Sequence, residues 1–154
     1  MKKLCPFLML FLIVFNSCDS KKIYEKYFDN ERITWNRFDE KTFQFEIEDI
    51  SATYDFYIAI RHHTEVPFKY ISTKFTLYTP SGEVRMLEQK IILKDNDGKL
   101  LGEGMGDLWD VIRPVREDFE FTEPGICRVE ISSTMPQADL PGIMQVGLVV
   151  RKRR

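Results

Sequence analysis

Cysteine is scarce in this sequence, and the three that occur exclude a disulfide framework. Cys5 lies inside an apolar leader, Cys18 closes that leader, and Cys127 stands alone in the remainder. A secreted chain in this state must hold itself together through its core. Histidine is scarcer still, with one adjacent pair, His62-His63. Neighbours on a strand point to opposite faces, so the pair is a poor chelate and reads as a surface loop. The chain has no G-x-S-x-G elbow, no H-E-x-x-H, and no carboxylate spacing that isolates an acid/base pair. No catalytic residue and no metal ligand is assigned, and the chain is expected not to be an enzyme. A basic excess is also missing: 22 Lys and Arg face 24 Asp and Glu. That balance argues against a nucleic-acid partner, which needs a basic face.

Long apolar runs are absent apart from Leu4 to Phe15. This run is too short for the ~20 residues that cross a bilayer core. It follows Lys2 and Lys3 and precedes Asn16-Ser17, the order of charge, apolar stretch and small residue that marks a secretory signal. Phe15-Asn16-Ser17-Cys18 resembles a relaxed bacterial lipobox, with an ordinary signal peptide as the plainer alternative. The resemblance implies cleavage before Cys18, a diacylglyceryl group on its thiol and an N-acyl chain on its amine, with no other cofactor. Buried acyl chain contributes ~0.8 kcal/mol per CH2, so several chains anchor a protein to membrane lipid firmly. The expected organisation is a signal peptide over 1–17, a lipidated N-terminus and polar tether over 18–30, and one folded domain over 31–154.

What fills that domain is period-2 alternation broken by turns, the signal of half-buried strands. Phe43, Phe45 and Ile47 alternate with polar residues, as do Tyr54 to Arg61, Ile71 to Tyr78 and Cys127 to Ser132. Further strands are expected over Glu83 to Leu93, around Phe119 and Phe121, and from Ile143 to Val150. Thr79-Pro80-Ser81-Gly82, Asp95-Asn96-Asp97-Gly98 and Glu123-Pro124-Gly125 supply turn chemistry. No segment after Cys18 carries a helical apolar stripe. The fold class is therefore all-β: an antiparallel β-sandwich of 7–8 strands, with jelly-roll wiring as one form of it.

Gly102, Gly104 and Gly106 invite a phosphate-loop reading, but Asp107 and Asp110 follow where a phosphate would be repelled. A backbone passing close beneath a large side chain such as Trp109 accounts for the glycines better. Asp95 to Gly98 opens like a calcium loop yet has Gly106 where the distal glutamate belongs, so a hairpin turn is preferred. Cys127 falls on an apolar face and reads as a buried thiol. Trp35, Tyr57, Tyr70, Tyr78 and Trp109 include candidates for outward aromatics, which could stack on sugars. Arg151 to Arg154 reads as a solvated tail.

The segment Gly102-Glu103-Gly104-Met105-Gly106-Asp107-Leu108-Trp109-Asp110 with Pro114 resembles the G-x-G-x-G-D-x-W-D core of the GldH gliding-motility lipoproteins of Bacteroidetes. Tyr24, Trp35-Asn36, Tyr57, Arg61, Phe121, Leu140-Pro141-Gly142-Ile143 and Val146-Gly147-Leu148 fit in order. The resemblance implies a lipoprotein needed for gliding and linked to type IX secretion, with protein partners in that apparatus. It carries over no catalytic residues. Gly102 to Asp110 and Leu140, Pro141 and Gly142 are expected to be loops of special conformation that contact a partner or shape the fold. A glycan-binding surface lipoprotein is the alternative. Asp19-Ser20-Lys21-Lys22 is not the acidic stretch typical of surface export, so the expected location is the outer membrane, facing the periplasm.

Changing Cys18→Ala is expected to abolish palmitate labelling and release the protein from the membrane fraction. Retention in washed membranes would place the anchor elsewhere.

Overall fold

The computed structural model describes residues 21–153. Their strands are β1 (Lys21–Asp29), β2 (Thr34–Asn36), β3 (Lys41–Ile47), β4 (Thr53–His63), β5 (Tyr70–Tyr78) and β6 (Val84–Ile92), followed by β7 (Glu103–Met105), β8 (Leu108–Glu120), β9 (Gly125–Ser133), β10 (Asp139–Pro141) and β11 (Ile143–Arg153). One sheet runs β1-β11-β4-β8-β7 and the other β3-β9-β5-β6, with β10-β2 as a separate ribbon. Setting aside the three short strands β2, β7 and β10, the eight long ones lie in the orders 1-8-3-6 and 2-7-4-5. That is the wiring of a jelly roll.

The strands follow the alternation of the sequence where one face meets water. In β3 the residues Phe43, Phe45 and Ile47 are buried while Thr42, Gln44 and Glu46 are exposed. β4 is central to its sheet and buried on both faces, including Asp55 and Ala59. Its Phe56 meets Phe45 at 6.2 Å, Phe75 at 5.8 Å, Phe119 at 6.1 Å and Phe121 at 6.3 Å between ring centroids. These tilted and edge-on contacts join both sheets and supply cohesion that no disulfide can.

Several expectations are corrected. The polar tether ends sooner than residue 30, because Lys21–Asp29 pairs with β11 as an edge strand. Its Tyr24 and Phe28 pack on Phe45 and Phe43 at 5.0 and 5.1 Å. The basic C-terminus is not a free tail up to Arg153. Arg151 lies over the Tyr57 ring, and Arg153 bonds to buried Asp55 and reaches Glu117 and Asp118 at 3.1 Å. Arg154, like Cys18, lies outside the described residues. The strand around Phe119 is the end of a 13-residue strand, β8, and Phe121 follows it. His62-His63 ends β4 rather than forming a loop, and His62 is fully buried.

The two poles of the sandwich differ. Residues 30–40, 64–69, 93–107 and 134–142 meet at the pole where β4 ends and β11 begins, and they contain β2, β7 and β10. Three short turns, residues 48–52, 79–83 and 121–124, close the other pole, where β1 starts and β11 ends. β4 has 11 residues, which at about 3.3 Å each sets the poles roughly 35 Å apart. Cys18 is three residues from Lys21, a reach of at most about 11 Å. The pole of short turns, where β1 starts, is the one that follows Cys18 in sequence.

Phe56→Ala is expected to cost about 3–5 kcal/mol in urea unfolding. Phe38→Ala, at a residue 79% exposed, should change stability by less than about 0.5 kcal/mol.

Candidate functional site

The two segments singled out in the sequence both belong to the pole remote from the start of β1. Strand β7 folds back on the start of β8, pairing Gly104 with Trp109 and Met105 with Leu108. The indole lies flat over Gly104, where any Cβ would run into the ring. Gly102 and Gly106 take positive φ on either side of β7. The close-approach explanation of the glycine cluster thus accounts for its centre. Trp109 pairs across the sheet with His62, and Asp110 with Arg61. The Asp110 carboxylate accepts two hydrogen bonds from Arg61, Nε at 2.7 Å and a terminal nitrogen at 2.8 Å. This half-exposed fork fixes the start of β8 against β4. The Asp107 carbonyl accepts the Thr64 N–H at 3.0 Å, which ties the same hairpin to the β4–β5 loop.

The second segment is pinned from three directions. Leu140 is buried and pairs with Trp35 across the β10-β2 ribbon, and Pro141 pairs with Thr34. Gly142 accepts the His63 N–H and donates its own N–H to the Ile33 carbonyl, both at 2.8 Å. Its φ is +86°, and an added Cβ would sit 3.0 Å from the Val66 Cα. Glycine is required there by both conformation and space.

Beside the second segment lies a shallow groove of about 310 Å³, bordered by Ile33, His63, Pro67 and Pro141. Arg32 and Ile33 form its rim with φ of 53° and 54°. Left-handed backbone at a β-branched residue costs on the order of 1–3 kcal/mol. The strain holds Ile33 outward, 43% exposed. Met105 at 86% and Leu108 at 41% are exposed on the neighbouring hairpin. Of the residues expected to make contact or shape the fold, Leu140 is buried, Trp109 is half-buried against Gly104, and Gly102, Gly104 and Gly142 shape the backbone. Sequence reading missed Ile33, Phe38, Met105 and Leu108 as outward apolar groups of this pole. Only Met105, an apolar residue held between glycines, carried a signal.

The outward aromatics do not form a stacking platform. Trp35 is fully buried, with its indole N–H donated to the Asp39 carbonyl at 2.9 Å. Tyr57, Tyr70 and Tyr78 lie beneath Arg151, Lys90 and Arg128 respectively. Asp95 accepts the Asp97 and Lys99 backbone N–H groups at 3.0 and 2.8 Å, the work of a turn. Cys127 is buried, and desolvation pushes its thiol up to about 12.

Fold and site together define a jelly-roll domain whose irregular loops gather at the pole opposite its N-terminus. The profile of the family described as GldH lipoprotein matches residues 22–150, and the chain belongs to that family. It is 28% identical to a gliding motility lipoprotein GldH homolog of Christiangramia forsetii, covering 95% of this chain and 94% of that one. It is 24% identical to the gliding motility lipoprotein GldH of Flavobacterium johnsoniae, with the same coverage of 95% and 94%. Membership of a lipoprotein family implies anchoring in the cell envelope. No solved structure matches this chain.

His62 supplies a pH test of this pole. Its Nδ1 lies 2.9 Å from the His63 carbonyl, while Nε2 is buried without a partner among the described residues. Burial lowers its pKa, with the nearby Lys94 cation adding to the effect. The unfolded chain therefore takes up the proton first. His62's contribution to stability is complete above about pH 6.5 and is lost as pH falls below that value, at up to about 1.4 kcal/mol per pH unit. Melting curves from pH 7.5 to 5 should fall more steeply for the native chain than for His62→Leu. Parallel curves would contradict the assignment.

Proposed function

We propose that this chain is a non-catalytic, membrane-anchored interaction subunit of the gliding-motility machinery linked to type IX secretion. The observation that carries the reading is polarity. The first described strand, β1, starts at the pole of short turns, so a lipid on Cys18, three residues earlier in the sequence, would tether that end, while the strained and apolar groups Ile33, Met105 and Leu108 lie roughly 35 Å away. A lipid tether at one end and a sculpted loop surface at the other suit a protein that presents a docking face away from the bilayer. Loops on a rigid scaffold commonly carry such contacts.

The non-catalytic part of the reading draws on how the reactive groups are used. His62 and Cys127 are desolvated in the core, while Asp110 and Asp55 are bonded to arginines. We place the anchor in the outer membrane with the domain in the periplasm, on the absence of an acidic stretch after Cys18. The sugar-binding alternative is the weaker reading, because Trp35 is buried and Tyr57, Tyr70 and Tyr78 each carry a cation over the ring.

Ile33→Asn tests the docking face. Asparagine tolerates the left-handed conformation, so stability should hold or rise by about 1 kcal/mol in thermal unfolding. Recovery of gliding or export proteins by crosslinking pull-down from native membranes should fall at least fivefold. Unchanged recovery would remove this pole from the proposal.

A further inference from the structure

The two long sides of the sandwich are finished differently. On one side, β1 and β3 are joined by the stacked pairs Tyr24–Phe45 and Phe28–Phe43, which seal the gap between sheets. On the other side, the free edges of β6 and β8 face each other across a groove of about 260 Å³. Its floor includes the core residues Phe75, Leu77 and Phe119, and its rim carries Arg85 and Arg116.

The two edges that face this groove are not alike. β8 is protected against strand addition. β7 covers its first three residues, Pro114 removes a backbone donor, and bulges beside Phe56 with Asp118 at φ 52° interrupt its register. β6 has none of these devices. It pairs with β5 in unbroken register from Tyr70↔Ile92 to Tyr78↔Val84, without proline or bulge. Its other backbone edge is unpaired among the described residues. Leu87 faces the groove, and on the opposite face Val84 is exposed and Met86 is 69% exposed.

We infer that β6 accepts an extended segment of a protein partner as a fifth strand of its sheet. Backbone bonding to the free edge would supply affinity, and side chains on alternate positions of the segment would enter the groove. The chemistry of the groove specifies those positions. Apolar side chains meet Leu87 and the edge of Phe119, above the buried Phe75 and Leu77, and a carboxylate meets Arg116, which has no acidic partner among the described residues. Arg85, already paired with Glu83, lies close enough to share that charge. The inference does not depend on the remote-pole reading, because it uses a different surface.

The test is selection of random nonapeptides displayed on phage against the full chain in detergent, followed by synthesis of the enriched sequences. Enriched peptides should alternate apolar residues and carry at least one carboxylate. Methylating one alternate set of their backbone nitrogens should weaken binding at least tenfold, and methylating the other set should not. Arg116→Glu should weaken binding at least tenfold while preserving the melting curve, and Ile33→Asn should leave it unchanged. Failure to enrich any peptide, or binding indifferent to both N-methylation and Arg116→Glu, would overturn the inference. So would a concentration-dependent dimer, abolished by Met86→Lys, in sedimentation, since that would assign the edge to a second copy of the chain.

Discussion

Phe56 sets the spacing on which both sheets depend. Its ring touches Phe45 and Phe75 from the opposing sheet and Phe119 from its own, with Phe121 just beyond the end of β8. The strand that carries it, β4, is clasped near both ends. Asp55 bonds to Arg153 towards the short turns, and Arg61 forks onto Asp110 towards the loops. Register is what these contacts protect. A slip of one residue would turn Phe56, Ile58 and Ile60 to the outer face. With no disulfide among the described residues, this aromatic and ionic clasp is what makes the ends of the sandwich definite places.

Many of the residues that carry the family resemblance turn out to build the fold. Gly104 makes room for Trp109, Asp110 locks onto Arg61, Leu140 meets Trp35, and Gly147 leaves space for the Tyr27 ring. Each is a close approach or a long-range pairing that few other side chains could replace. The groups that stand outward at the remote pole, Ile33, Met105 and Leu108, are free of such duties apart from the strain at Ile33.

Legibility in the sequence followed the physics of each element. β3, β5 and β9 have one solvated face, so their alternation announces them. β1 was hidden because an edge strand near the terminus carries charge on both faces. In β8, Pro114 and the irregularity around Asp118 break the period that would have revealed its full length. β2, β7 and β10 have three residues each, too few for any periodicity. The jelly-roll order was legible only as one form the sandwich could take, since it depends on which distant strands pair. At the site, the Gly104–Trp109 approach was legible as local spacing, whereas Arg61 and Asp110 are 49 residues apart and Ile33 owes its exposure to backbone strain.

The central claim is that the chain is anchored at one pole and engages its partners at the other. Photocrosslinking in living cells tests it most directly, with a photoreactive residue placed in turn at Leu108 near the loops and at Glu48 near the anchor. The account predicts discrete protein adducts from the Leu108 position and few or none from the Glu48 position. Adducts concentrated at Glu48, with none at Leu108, would contradict it.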